Sequence, residues 1–238
     1  LTVAGDFTTS GGLLGASCLD LTSSSSEYAA QTSATTWGFG DAWSMEMWFK
    51  TSTDSNMTLF DMDNGSDNAN RIEISCNAAS NEIILSTFDS SGTQTTLTTG
   101  GWGNPDFHDG MWHHLAVTSS GTELKIYADG KLNKSSTVTL VDRLADPSMR
   151  LFIGKKKNDS QYFNGAIDEV RLFSDVRTEA ELRADMFQGG TLANSGNLVA
   201  RYGFDEGTST AIDNSETTAA RDLVLSDAGA WAGAGTFT

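Results

Sequence analysis

Gly165-Ala-Ile-Asp-Glu-Val-Arg-Leu-Phe173 is the stretch that decides the fold. It alternates apolar and polar residues as a strand with one buried face does. Ile167 and Val170 are apolar anchors on either side of the Asp168–Glu169 pair. Simple alternation turns these adjacent carboxylates to opposite faces, which prevents them from acting as a catalytic dyad. Thr178-Glu-Ala-Glu-Leu-Arg-Ala-Asp-Met-Phe187 follows and reads as a helix. Thr178 is a good N-cap with Glu181 three residues on, which makes a capping box. Leu182 and Met186 lie four apart on one helical face. A strand carrying an acidic pair and closed by a lone helix points to a β-sandwich stiffened by calcium.

The rest of the chain repeats the strand signal. Ser, Thr, Gly, Asn and Asp clusters separate short apolar runs, as in many strands joined by turns. Around Ser44–Lys50, Trp43, Met45, Met47 and Phe49 share one face, while Ser44, Glu46, Trp48 and Lys50 share the other. Met57–Met62, Arg71–Cys76, Glu82–Phe88, Met111–Thr118 and Glu123–Tyr127 read as further strands. Asp129-Gly130 supplies the positive φ angles of a tight hairpin. One helix among about a dozen strands fits a sandwich or jelly roll.

Composition narrows the functions. The 238 residues form one large all-β domain, and this length buries enough surface to fold without staples. Lys and Arg number 15 against 31 Asp and Glu, a net charge of −16. Such a field repels nucleic acid and anionic membranes and attracts cations. No apolar run is long enough to span a bilayer. Leu1 rather than Met opens the chain, which reads as a processed or trimmed fragment, so no leader reports on localisation. Cys18 and Cys76 read as two buried thiols, with one disulfide the alternative in an oxidising compartment.

Five motifs together resemble laminin-G-like domains. They are Asp109-Gly-Met-Trp-His-His-Leu-Ala-Val117, Leu124-Lys-Ile-Tyr-Ala-Asp-Gly-Lys131, Phe152-Ile-Gly154, Gly165–Phe173 and the Ser174–Leu182 cap, in the family's order and spacing. The resemblance covers roughly 14–187. It implies an all-β, concanavalin A-like jelly-roll sandwich of two antiparallel sheets, each of six or seven strands. It also implies an extracellular, cell-surface or virion-surface module, non-catalytic and carbohydrate-binding, often with structural calcium. Two departures stand out. Thr22 and Ser23 replace the Asp and Gly of an early family turn, and Asn197–Thr208 resembles a strand that usually opens such domains. The segment 197–238 is expected to complete the sandwich in place, because an orphaned apolar strand is an aggregation hazard.

Candidate chemistry follows from the same residues. No strand carries the E-x-D-x-E or E-x-D-x-x-E run that glycosidases on this fold use, so no catalytic residue is assigned. Calcium takes six to eight oxygen ligands. By resemblance to laminarinase-type enzymes, Asp168 is the leading ligand, joined by groups near Asp20 and Gly40. Asp61, Asp63 and Asp67 around Gly65 form a second candidate, with a polar hairpin turn as the plainer reading. Sugar binding needs aromatic plates beside polar groups. Trp102, Asn104 and Phe107, with Trp37, sit in Gly- and Asn-rich sequence suited to display. Trp43, Trp48 and Trp112 are strand residues expected in the core. The expected partner is a glycan or a surface protein, with a homo-oligomer or larger assembly open. An adhesive fibre or coat module without sugar affinity, and a glycoside hydrolase or lyase with an atypical site, remain alternatives.

Overall fold

The computed structural model describes residues 15–65, 69–100, 105–138, 149–189, 192, 195–207, 209–214, 221–227 and 229–233. In chain order the strands begin with β1 (Ser17–Leu21), β2 (Ala29–Gln31), β3 (Ala42–Lys50), β4 (Met57–Asp63), β5 (Arg71–Asn77) and β6 (Glu82–Phe88). Next come β7 (Gln94–Thr98), β8 (Trp112–Ser120), β9 (Glu123–Ala128), β10 (Lys131–Thr137) and β11 (Arg150–Ile153). The last are β12 (Gly165–Phe173), β13 (Leu198–Tyr202), β14 (Ala211–Ile212), β15 (Leu223–Leu225) and β16 (Trp231–Gly233). The α-helix α1 spans Glu179–Asp185.

These strands make two antiparallel sheets, each of eight strands rather than the six or seven expected. The first runs β10-β9-β8-β3-β12-β1-β16, with β13 also paired to β12. The second runs β14-β15-β2-β11-β4-β5-β6-β7. Alternation explains the core. Met45, Met47 and Phe49 of β3 face Ile72 and Ile74 of β5 and Leu85 of β6 inside a single apolar cluster. The C-terminal strands are built into both sheets: β13 on β12, β15 on β2 and β16 on β1.

Local chemistry sets the details. Asp129 and Gly130 hold φ of 49° and 72°, the primed-turn geometry that Asp-Gly accepts. A Cβ on Gly130 would lie 2.9 Å from Arg183 and 3.0 Å from Met186, so the hairpin tip packs directly under α1. The helix is capped reciprocally by Thr178 and Glu181. Leu182 packs on Ala116 and Tyr127, and Met186 on Trp48, all on the outer face of the first sheet. Cys18 and Cys76 are unbridged and buried. Cys76 points into the core and Cys18, one residue before the core residue Leu19, points outward from the other sheet. Burial pushes both thiols up to about 12.

Candidate functional site

Strand β12 does not alternate simply. Glu169 has a φ of 49°, and the register against β3 slips between Asp168 and Arg171. This is a β-bulge, one extra residue that re-aims its neighbours. Ile167 and Val170 both reach the core. Asp168 therefore lies beside Trp48 on the outer face, and Glu169 reaches that same face to meet Arg171. The two carboxylates do not point apart, as plain alternation requires. The bulge also marks a change of neighbour. β1 pairs along Gly165–Ile167, and β13 takes over from Val170 to Phe173.

Around the bulge a charged network ties β12 to its neighbours. The Arg171 guanidinium donates to Glu46 at 2.9 Å, to Glu169 at 3.0 Å, and to the carbonyls of Asp185 and Gln188 at the end of α1. Arg201 donates to both Glu169 oxygens, at 2.9 and 2.5 Å. His114 stands 3.5 Å from Glu46 and edge-on to Trp48. Burial works against the Glu46 charge, but His114 and Arg171 outweigh it and hold the carboxyl below its ordinary range. Glu169 and Arg171 thus act as a lock for the helix. Asp168 stays outside the lock: one oxygen accepts from the Glu169 N–H at 2.8 Å and the other has no hydrogen-bond partner. Burial, then the Glu169 carboxylate, push its carboxyl up to about 10.

The residues expected to hold calcium do not form one donor set. Asp168 pairs with Trp48, near the far end of β3 from Gly40. At strand rise, Ala42 to Trp48 alone spans about 20 Å. Asp20 lies exposed on β1, where it pairs with Ala166. Both oxygens of Asp61 accept from Arg71, at 2.7 and 2.8 Å, and one also accepts the Lys157 N–H. Asp63 accepts the Gly65 N–H. Asp67 lies outside the described residues. No group of three or more His, Cys, Asp or Glu side chains suited to a metal occurs among the described residues. Among the described residues these expected ligands do not converge on one calcium ion, which takes six to eight oxygens.

The expected aromatic platform also changes. Phe107 is fully buried against Phe49 and His113. Trp37 is buried as well, stacked on Phe39 with the Arg221 guanidinium over it. Neither ring is displayed, because each closes an edge of the core. Trp102 and Asn104 lie outside the described residues. Trp43 is in the core as expected, whereas Trp112 faces outward and is only partly buried.

The sequence marks β5 and β6 only as strands and gives β7 no reading, yet the outer face of all three forms a groove of about 490 Å³. Register builds it. Arg71 pairs with Phe88, which pairs with Gln94; Glu73 pairs with Ser86, which pairs with Thr96. The inward partners Ile72, Ile74 and Leu85 are core, so this polar set faces out. Arg71 is held by Asp61 and, at 2.5 Å, by Glu73, and Lys156 reaches Glu73 at 3.4 Å. Burial opposes the Arg71 charge, but Asp61 and Glu73 overcome it and raise its pKa. The guanidinium also lies 5.4 Å over the Phe88 ring. Gln94, Thr96 and Gln161 are exposed at the rim. The floor is therefore rigid and pre-paired, while the rim offers amides and a hydroxyl.

A laminin-G family model, described as the concanavalin A-like lectin/glucanases superfamily, matches residues 23–183. The chain belongs to this family. A rat protein named for its sushi, von Willebrand factor type A, EGF and pentraxin domains is 27% identical over 112 residues. That match covers 43% of this chain but only 3% of the rat protein, so the chain spans a small part of that relative. Among solved structures, a candidate carbohydrate binding protein of Bacteroides ovatus superposes with a TM-score of 0.63 at 16% identity. The superposition covers 89% of this chain and 58% of that one. The CBM40 of a Ruminococcus gnavus sialidase, bound to α2,3 sialyllactose, gives 0.53 at 14% identity over 73% of this chain and 98% of that one. At these identities the likeness is one of fold.

Proposed function

We propose that this chain is a non-catalytic, extracellular carbohydrate-binding module that holds a glycan along the groove over β5–β7. The observation that carries this reading is the groove's chemistry. Its charged floor, Arg71 with Asp61 and Glu73, is already paired within the protein. Its rim presents Gln94, Thr96 and Gln161, uncharged donors and acceptors suited to sugar hydroxyls. A groove of about 490 Å³ accommodates a short oligosaccharide. The sugar-bound relative of the same fold supports this reading, and so does the family to which the chain belongs. The chain's −16 charge favours neutral over anionic glycans in the long-range field.

No ion takes part in the proposed binding mode. A glycan array run with calcium and with EDTA tests the reading. The expected result is a set of neutral glycans bound equally in both, with binding lost in a Gln94→Ala/Thr96→Ala double variant. Binding abolished by EDTA, or unchanged in the double variant, would reject this site.

A further inference from the structure

A second groove opens on the outer face of the first sheet, on the opposite side of the sandwich. One rung of that sheet crosses four strands. Asp20 of β1 pairs with Ala166 of β12, Ala166 pairs with Lys50 of β3, and Lys50 pairs with Trp112 of β8. All four point outward, because Leu19, Ile167 and Phe49 beside them belong to the core. At strand spacing, Asp20 and Lys50 stand about 10 Å apart, and Trp112 lies about 5 Å beyond Lys50. Ala166, the small residue between the two charges, leaves a hollow. The space over it is about 330 Å³, closed on the next rung by Ser52, Gly110 and Asn164.

The backbone is drawn in at this point. A Cβ on Gly165 would lie 2.1 Å from the Lys50 carbonyl oxygen, so only glycine lets β12 approach β3 here. Asn164 is fixed by its bonds to Thr53 and to the Ser23 N–H, and Thr51 donates to the Asn164 carbonyl at 2.7 Å. The hollow is thus preformed. Its charged members are not consumed internally. Among the described residues no ion pair engages Asp20 or Lys50, in contrast with the paired charges over β5. Trp112 rests on Trp48 and Met186, which hold its ring in place.

We propose that this hollow is a second ligand site, and that its ligand is a single neutral pyranose ring at the end or branch of a glycan. The chemistry of the rung selects this class. The Trp112 ring offers a plate for the C–H face of a sugar. The Asp20 carboxylate accepts from one hydroxyl, and the Lys50 ammonium donates to another across the hollow. One positive and one negative group on the same rung cancel at the site, so a ring with no net charge matches it better than a uronic acid. This site stands independently of the β5–β7 groove, shares no residue with it, and fails or succeeds separately.

The test is an NMR titration that follows the Trp112 indole N–H while methyl β-galactoside, methyl β-glucoside, methyl α-mannoside or methyl β-glucuronide is added to the full chain. At least one neutral glycoside is expected to shift that signal saturably in the millimolar range. Trp112→Ala, followed instead through the backbone amides of Lys50 and Ala166, should weaken this binding about tenfold, the scale of losing an aromatic contact. Asp20→Asn and Lys50→Gln, on the outward face and not fully buried, should each weaken it several-fold with unchanged folded spectra. The Gln94→Ala/Thr96→Ala variant should bind these glycosides as the parent does. No Trp112 shift with any neutral glycoside, wild-type affinity in both Asp20→Asn and Lys50→Gln, or tighter binding of the glucuronide would overturn the proposal.

Discussion

Replacing Asp168 with Asn is expected to stabilise this protein, and by more as the pH rises. Asp168 is fully buried, one of its oxygens has no partner, and the Glu169 carboxylate lies on the same face. Burial and that neighbour raise its pKa from 3.8 to about 10, so the folded protein holds a neutral acid at pH 7. The unfolded chain is ionised there. Folding therefore takes up a proton, and stability falls with rising pH by about 1.4 kcal/mol per unit across this window. It is fully present below the unfolded value of 3.8 and continues to fall until the folded value of about 10 is passed. Between pH 4 and pH 7 the loss reaches about 4 kcal/mol. Asn keeps an oxygen for the Glu169 N–H and carries no charge in either state. Urea denaturation of parent and variant at pH 5, 6, 7 and 8 isolates the effect as a difference, since every other titrating group is common to both. The expected difference grows in favour of the variant by about 1.4 kcal/mol per pH unit. Parallel stability profiles would refute the account of a buried neutral acid. A variant less stable than the parent only when calcium is added would show that Asp168 holds an ion after all.

Three further outcomes follow from the same structure. Arg171→Met should destabilise by about 3 kcal/mol, because it leaves the buried Glu46 facing only His114 and the buried Glu169 held by Arg201 alone. Hydrogen exchange should then quicken first in α1, whose terminal carbonyls Arg171 holds. His113 lies between Asp129 at 3.1 Å and Asp109 at 3.2 Å. Burial lowers its pKa but the two aspartates outweigh it and raise it above 6.5, so its contribution is complete below pH 6.5 and fades as pH passes the folded value. His113→Asn should remove that part of the pH dependence, read from thermal melts between pH 5.5 and 8.5. Thr178→Ala should cost about 1 kcal/mol through loss of the capping box, measured by chemical denaturation.

The parts of the fold visible in the sequence were those set by local chemistry. Alternation in Trp43–Lys50 placed its faces correctly, Asp129-Gly130 announced its turn, and Thr178 with Glu181 announced the helix start. The bulge at Glu169 was not legible, because nothing in Ile-Asp-Glu-Val marks a charged residue for a φ of 49°. That position is imposed from outside, by Arg171 and Arg201 gripping the carboxylate where β1 gives way to β13. Trp37 and Phe107 misled for a related reason. Their Gly- and Asn-rich surroundings report a connecting segment but not the direction of the ring, and both rings turn inward to fill the core. Both grooves depend on register between strands distant in sequence. Glu73, Ser86 and Thr96 are unremarkable in their own strands and become a surface only when paired side by side. Asp20, Ala166, Lys50 and Trp112 meet in the same way.

The central claim is that the face of β5–β7 receives a neutral glycan. A backbone-amide NMR titration with the strongest neutral oligosaccharide from the array tests it most directly. Saturable shifts concentrated at Arg71–Ser75, Ser86–Phe88 and Gln94–Thr96, with no dependence on calcium, are the expected result. Shifts that leave these segments unmoved while the glycan binds elsewhere would contradict it.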